Sequence, residues 1–333
     1  MSKDPKEIKV FVTRDIPEIG LSILKQAGLD FIVHRSDVPQ TMEELTTTLA
    51  NFNAVLSVGH NQFDSGSLEK CKHLEIISQF GAGYDNIDLE RATRHGIVVA
   101  NTPLAMNDAT ADVAFGLMIA TSRKMFYMHK KIAKGEWGAF RSQANLGIEL
   151  KNKTIGVFGL GNIGYELALR CKGAYNMNII YHNRTRNEAA ERALGAKWVD
   201  FDTFLKESDI VSLHCALTSQ TEGLFDKKAF AKMKNTSIFI NTSRGKVHNE
   251  KDLIDALNSG EIWGAGLDVT NPEPMHADNP LLSMENVSVL PHIGSATIEA
   301  RNEMSRLCAM NVIEFYQGIK MTNSVNPSLE NKL

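Results

Sequence analysis

Cysteine is scarce in this 333-residue chain, and the four present, Cys71, Cys171, Cys215 and Cys308, lie far apart and form no CxxC pair. In a chain of this length that pattern excludes a disulfide framework and a cysteine zinc site. It predicts free thiols in a reducing, cytoplasmic compartment. Charge of one sign is also lacking: 36 basic residues face 39 acidic ones, a formal charge of −3, with no basic block. Nucleic acid and membrane surfaces therefore have no electrostatic claim as partners. Long apolar runs are absent too. The longest, residues 113–120, falls far short of the roughly 20 residues that cross a bilayer. The opening Met1-Ser2-Lys3-Asp4-Pro5-Lys6-Glu7 has no apolar segment of the kind a signal peptide carries. The ten histidines show no HxxxH or HxH spacing, so no metal site is expected. No GxSxG follows a strand-like run, which removes the usual serine hydrolase.

What is there is a globular chain, 43% hydrophobic and 23% charged, long enough for two domains. Short β-branched runs at residues 9–13, 31–34, 54–58, 74–80 and 97–101 alternate with helical stretches. A second series follows at 154–160, 178–182, 209–214, 237–241, 263–269 and 287–290. Such alternation predicts parallel sheets covered on both faces. Two series imply two doubly wound α/β domains. Between them Asn107 or Asp108 is an expected helix N-cap ahead of an apolar stretch, and residues 297–317 have the pattern of a second long helix. The expected division is a domain of residues 1–104 with 294–333 and an inserted domain of residues 105–293.

The strand pattern Thr154-Ile155-Gly156-Val157-Phe158 runs into Gly159-Leu160-Gly161-Asn162-Ile163-Gly164, with a helical pattern over 165–172 and another strand at 178–182. A glycine triplet alone is a weak signal. In this strand–loop–helix–strand setting it predicts a dinucleotide site. Gly159 permits the turn, Gly161 admits the pyrophosphate, and Gly164 lets helix and strand pack.

An NAD-binding chain usually places an acidic residue at the end of the second strand, to accept from the ribose hydroxyls. Here the run is Tyr181-His182-Asn183-Arg184-Thr185-Arg186, with no carboxylate before Glu188. Arginine pairs with a 2′-phosphate that an aspartate would repel. Asn183, Arg184, Thr185 and Arg186 therefore predict NADP(H), with NAD(H) as the lesser cofactor.

Three later strand candidates end in residues able to do chemistry: Arg244, then Asp268 and Glu273, then His292. Ligands of doubly wound sheets bind beyond the carboxyl ends of strands. Reducing a 2-keto acid requires a held carboxylate, a polarised carbonyl and a proton for its oxygen. The planar fork of Arg244 suits the first two tasks. An imidazole, which ordinarily titrates near pH 6.5, suits the third, and Glu273 against its other nitrogen would fix the tautomer. Asp268 is expected to accept from the nicotinamide carboxamide. Each residue alone has an ordinary structural reading, Arg244 as a surface ion pair and His292 as a turn residue; together behind a glycine loop they do not.

In order along the chain, several motifs resemble the D-isomer-specific 2-hydroxyacid dehydrogenases. They are Phe80-Gly81-Ala82-Gly83-Tyr84-Asp85-Asn86-Ile87-Asp88, Asn101-Thr102-Pro103, Asp108-Ala109-Thr110-Ala111-Asp112, the glycine loop, and Asn241-Thr242-Ser243-Arg244-Gly245. Gly266-Leu267-Asp268-Val269, Pro272-Glu273-Pro274 and Pro291-His292-Ile293-Gly294-Ser295-Ala296-Thr297 complete the series. The resemblance implies a flavodoxin-like substrate domain and an inserted Rossmann domain, and a catalytic set falling on Arg244, Glu273 and His292. It implies carboxylate binding by backbone N–H groups around Gly81, Ala82 and Gly83. Further cofactor contacts would fall at Thr110, Cys215, Thr242, Ser243, Asp268, Gly294 and Ser295. It also implies a homodimer, in which Trp137 or Phe140 reaches the neighbouring subunit.

Within the family the chain is most similar to the glyoxylate/hydroxypyruvate reductases. His182 departs from the acidic residue of NAD-dependent relatives. A reductase of a larger acid such as 2-ketogluconate is the alternative, its pocket bounded by Ser57-Val58-Gly59-His60-Asn61. A dinucleotide-sensing, corepressor-like interaction protein is the alternative from another class, disfavoured by the intact catalytic set.

Overall fold

The computed structural model describes residues 4–36, 38–59, 61–327 and 329. The opening Met1-Ser2-Lys3 and His60 of the expected pocket segment thus lie outside the described residues. By contact density the chain divides into two units, Met1–Met106 with Ala296–Leu333, and Asn107–Ser295.

The first unit is a five-stranded parallel sheet of β1 (Lys9–Val12), β2 (Asp30–Val33), β3 (Ala54–Val58), β4 (Ile76–Phe80) and β5 (Val98–Ala100), in the order β2-β1-β3-β4-β5. Its first four helices are α1 (Glu18–Gln26), α2 (Met42–Leu49), α3 (Ser65–Lys70) and α4 (Leu89–Arg94). The strands β3 and β4 are buried along nearly their whole length. They are mainly apolar, broken by Ser57 in β3 and by Ser78 and Gln79 in β4, as strands buried on both faces are.

The second unit holds α5 (Asn107–Ser122), α6 (Met125–Ala133), β6 (Thr154–Phe158), α7 (Asn162–Tyr175), β7 (Asn178–His182), α8 (Glu188–Leu194), β8 (Lys197–Trp198), α9 (Phe201–Glu207) and β9 (Ile210–Leu213). It continues with α10 (Lys227–Phe230), β10 (Ile238–Asn241), α11 (Glu250–Ser259), β11 (Gly264–Leu267) and β12 (Val287–Val289). Its seven strands are parallel, in the order β12-β11-β10-β9-β6-β7-β8. The strand period of two divides the core. Ile210, Ile238 and Ile240 face the cluster under α5 and α7, whereas Val211, Leu213 and Phe239 face the aromatic cluster of Phe204, Phe225 and Phe230.

The last helix, α12 (Ile298–Gln317), returns to the first unit. There Ser305 Oγ donates to the Pro17 carbonyl at 2.7 Å and accepts from Gly20 N at 3.2 Å. Asn311 Nδ2 donates to the Asn101 carbonyl at 2.9 Å.

Local details differ from the sequence expectations for physical reasons. The helix α5 begins at Asn107, so Asn107 and Asp108 occupy its first turn and are not caps. Asp108 instead accepts from Arg170 Nη2 at 2.8 Å, and Asp112 from Arg170 Nε at 2.7 Å, which ties α5 to α7. The helix α7 runs from Asn162 to Tyr175, three residues beyond the expected 165–172 at each end. The glycine loop itself provides its N-cap, Gly161, and Asn176 closes it in the left-handed conformation. Both unit junctions fall two residues later than expected. α5 takes the chain from Asn107, and Asp268 holds Ile293 and Gly294 within the second unit. The strand β8 was not foreseen: two exposed residues carry no periodicity.

Candidate active site

The glycine loop follows directly from β6. Gly159 has φ of +98°, and a Cβ there would meet the backbone of His214 and Cys215 at 2.8–2.9 Å. The residue must be glycine on both counts. A Cβ on Gly164 would meet Val157 Cγ1 at 2.8 Å and the Gly159 carbonyl at 2.5 Å, so helix and strand are in backbone contact. A Cβ on Gly161 would meet nothing within 4 Å. That open face adjoins the N-terminus of α7, which no side chain caps. Unclaimed N–H groups at the positive end of a 14-residue helix, with room above a glycine, fit a dinucleotide pyrophosphate. His214 beneath the loop is half-buried, bonded to Ser212 Oγ at 2.8 Å. Burial pushes its pKa down to about 3, so it is neutral. Cys215 beside it has its thiol pushed up to about 11, also by burial.

The turn after β7 is a small framework. Asn183 Oδ1 accepts from Leu160 N at 2.7 Å, and Asn187 Nδ2 donates to the Leu160 carbonyl at 3.0 Å, joining this turn to the glycine loop. Tyr181 Oη donates to Glu191 at 2.5 Å and accepts from Asn187 N at 2.8 Å. His182 stacks on Phe158 and Trp198, with ring centroids at 5.6 and 6.1 Å. Its Nδ1 donates to the Val199 carbonyl at 2.9 Å. Both arginines were expected to serve a phosphate, but Arg186 is already forked onto Glu191 at 2.6 and 3.0 Å. That pairing, first, and the Tyr181 hydroxyl, second, hold the Glu191 carboxyl down to about 2. Arg184 and Thr185 are exposed. Arg184 makes no hydrogen bond or ion pair with the described residues.

The strands β10, β11 and β12 are adjacent in the sheet, which brings the ends carrying Arg244, Asp268 and His292 side by side. Asn241 organises the first end: its Oδ1 accepts from Ser243 N and Oγ at 2.9 and 2.8 Å, and its Nδ2 donates to the Arg244 carbonyl at 2.9 Å. Arg244 Nη1 donates to the Ser243 carbonyl at 2.9 Å. Gly245 nests against the Thr270 carbonyl, where a Cβ would collide. This presses the Arg244 turn onto the loop that carries Glu273. Thr242 lies below, its hydroxyl 3.5 Å from His214 Nδ1.

His292 Nδ1 lies 2.5 Å from Glu273 Oε1, and the two side chains are 33% and 31% exposed. An ionised carboxylate only accepts, so Nδ1 carries the proton in this pair and Nε2 points elsewhere. His292 has φ of +54°. A non-glycine residue stays in that region only where its surroundings over-determine it. Asp268 does so here. It is 1% exposed, and its two oxygens accept from Ile293 N at 2.8 Å and Gly294 N at 2.7 Å. Asp268, expected to reach toward the cofactor, has each of its oxygens engaged by a backbone N–H beside His292. Thr110 Oγ1 joins the same loop at the Gly294 carbonyl, 3.1 Å away, with Ser295 next in the chain.

In the first unit, Gly81, Ala82 and Gly83 follow β4. Thr102 N donates to the Gly81 carbonyl at 3.0 Å and Asn101 Nδ2 to the Ala82 carbonyl at 2.8 Å. Tyr181, Asn187, Glu191, Asn241 and His214 were missed as supporting residues, since nothing in their spacing marks a second layer of contacts. Among the described residues no cluster suits a metal ion, and no helix is long and apolar enough to cross a membrane.

The profile of the D-isomer specific 2-hydroxyacid dehydrogenase NAD-binding domain matches residues 115–294. A glyoxylate reductase of Thermococcus litoralis is 42% identical over 322 residues, spanning 96% of each chain. The glyoxylate/hydroxypyruvate reductase B of Escherichia coli is 39% identical, over 92% of this chain and 94% of that one. Among solved structures, the NADPH-dependent glyoxylate/hydroxypyruvate reductase of Sinorhizobium meliloti, in complex with NADP and malonate, superposes with a TM-score of 0.84 at 30% identity. It covers 97% of this chain and 98% of that one. This chain therefore belongs to the D-isomer specific 2-hydroxyacid dehydrogenases and is an NAD(P)-dependent oxidoreductase of the glyoxylate reductase type.

Proposed function

We propose that the protein reduces a small 2-keto acid, glyoxylate or hydroxypyruvate, to the D-2-hydroxy acid with NADPH. The observation that carries this reading is the His292–Glu273 pair at 2.5 Å, set beside the Arg244 turn on the sheet that bears the glycine loop. When bound, the reduced nicotinamide supplies the hydride. His292 holds a proton at Nε2 for the carbonyl oxygen while Glu273 keeps Nδ1 protonated and the ring oriented. Arg244 polarises the carbonyl and binds the acid. The Gly81-Ala82-Gly83 backbone of the first unit takes the carboxylate. Asp268 is a positioning residue for His292, acting through Ile293 and Gly294. Gly159 to Gly164, with Thr110, Cys215, Thr242, Ser243, Gly294 and Ser295, form the cofactor's surroundings. A panel of 2-keto acids, followed by nicotinamide absorbance, tests the reading; preference for a large sugar acid such as 2-ketogluconate would replace it, and inertness toward every acid would refute it.

The preference for NADPH rests on the turn after β7, where Arg184 is unengaged, Asn183 and Thr185 flank it, and no carboxylate faces a 2′-phosphate. A charge-assisted bond contributes about 1.5–3 kcal/mol. Arg184→Gln should therefore lower kcat/KM with NADPH by about 10- to 100-fold and leave that with NADH nearly alone. Equal loss with both cofactors, or a wild-type preference for NADH, would exclude the role.

The protein is further proposed to act as a homodimer. The helix α6 buries none of its residues, and Trp137 and Phe140 in the segment after it are 81% and 93% exposed. Apolar surface of this kind marks an interface, and a second copy is the occupant the family resemblance implies. Light scattering should give twice the chain mass, and Trp137→Ala should alter substrate selectivity. A monomer, or a Trp137 variant with unaltered selectivity, would refute this arrangement.

A further inference from the structure

The first unit carries a cation that none of the roles above uses. Arg301 is the fourth residue of α12, whose N-cap Thr297 accepts from Ala300 N at 3.1 Å. Its guanidinium carbon lies 6.0 Å from the ring centroid of Phe80, the last residue of β4. It makes no hydrogen bond or ion pair with any described residue. The nearby carboxylate Glu303 is committed to Arg306, at 2.6 and 2.8 Å. Three terms oppose this placement. Burial draws the arginine's pKa below its ordinary value. No anion among the described residues pairs with the charge, and the first turn of a helix is its positive end. Only the face of Phe80 offers partial relief, as a cation–π contact.

Phe80 leads directly into Gly81-Ala82-Gly83. The carbonyls of Gly81 and Ala82 are both pinned to the 101–102 segment, by Thr102 N and Asn101 Nδ2. In a trans peptide the N–H points opposite to the carbonyl. The N–H groups of Ala82 and Gly83 therefore project away from that segment, and neither has an acceptor among the described residues. Two aimed donors and one uncompensated guanidinium flank the same residue.

We propose that Arg301 is a substrate-binding residue which supplies the charge for the carboxylate of the 2-keto acid, while the Ala82 and Gly83 N–H groups set its geometry. The proposal rests on the reading of the Gly81-Ala82-Gly83 loop as the carboxylate site. Phe80 orients the guanidinium, and its half-buried setting strengthens the attraction relative to water.

The test compares Arg301→Met, which keeps the stem and removes the charge, with Arg301→Lys. Oxalate is the binding probe, read by thermal shift, and glyoxylate is the substrate. Loss of a charge-assisted contact formed equally in ground and transition states falls on KM. Arg301→Met should raise KM for glyoxylate by about 10- to 100-fold and erase the oxalate shift, with the KM for NADPH held. Arg301→Lys should recover part of both. Methylglyoxal, which has no carboxylate, should be reduced by wild type and Arg301→Met with similar kcat/KM. An unchanged KM for glyoxylate, or an oxalate shift retained in Arg301→Met, would overturn the proposal. If Arg301→Met melts early without ligand, the ratio of glyoxylate to methylglyoxal kcat/KM in Arg301→Lys decides; a wild-type ratio counts against Arg301. If wild type reduces no 2-keto acid, the reductase reading fails, while the oxalate shift still decides on Arg301: no shift in wild type refutes it as well.

Discussion

Replacing His292 by alanine is expected to lower kcat for glyoxylate reduction by about 100- to 10,000-fold, the range of a positioned general acid, while the affinity for NADPH barely moves. The reason lies in the division of the second unit. The glycine loop that would hold the cofactor stands on β6, whereas His292 stands at the end of β12, across the sheet. Deleting its imidazole removes the proposed proton donor and nothing that touches the loop. Glu273→Gln is the informative companion. It keeps a polar group near His292 Nδ1 and removes the carboxylate that accepts from it and orients the ring. Its kcat should fall by about 10- to 100-fold, the worth of a charge-assisted bond, with the KM for NADPH held. Wild-type turnover in His292→Ala would refute the assignment; wild-type turnover in Glu273→Gln would reduce Glu273 to packing.

The glycine loop predicts a contrast of comparable size. Gly161→Val should leave Tm near that of wild type, since the new side chain meets open space. It should weaken NADPH binding by about 100-fold, because the branched group occupies room the pyrophosphate needs, an overlap that costs about 1–3 kcal/mol. Gly159→Ala should do the reverse in order. Its Cβ would press on the backbone of His214 and Cys215 at a φ of +98°, and such strain costs about 1–3 kcal/mol before any clash. Tm should fall first, with binding lost as a consequence. Calorimetric melting and NADPH fluorescence titration separate the two. Gly161→Val binding NADPH as wild type does would remove the loop from the cofactor site.

Much of this was legible in the sequence because the signals were local. Eleven of the twelve strands among the described residues announce themselves as short apolar runs, and a strand running into Gly159-Leu160-Gly161 has few structural meanings. Residues at strand ends were legible for the same reason, since a parallel sheet puts them on one edge. Second-layer contacts were not. Glu191 lies outside the turn it stabilises, and only the fold brings its carboxylate to Tyr181 and Arg186. Asp268 was read from its place after β11 alone; its partners within the chain, Ile293 N and Gly294 N, lie 25 and 26 residues further on. Arg301 was invisible as a candidate, because an arginine in an amphipathic helix is ordinary until its neighbours prove to be Phe80 and no acid.

The turn after β7 separates shape from charge. Its form is held by Tyr181, Asn183, Asn187 and Glu191, and Arg184 contributes to none of those bonds. On the proposed role of Arg184, a substitution at 184 changes the nucleotide on which the enzyme draws without disturbing the bonds that shape the turn. Preference and scaffold would then be separable by design: the charge at 184 can be exchanged while Tyr181, Asn183, Asn187 and Glu191 keep the turn in place.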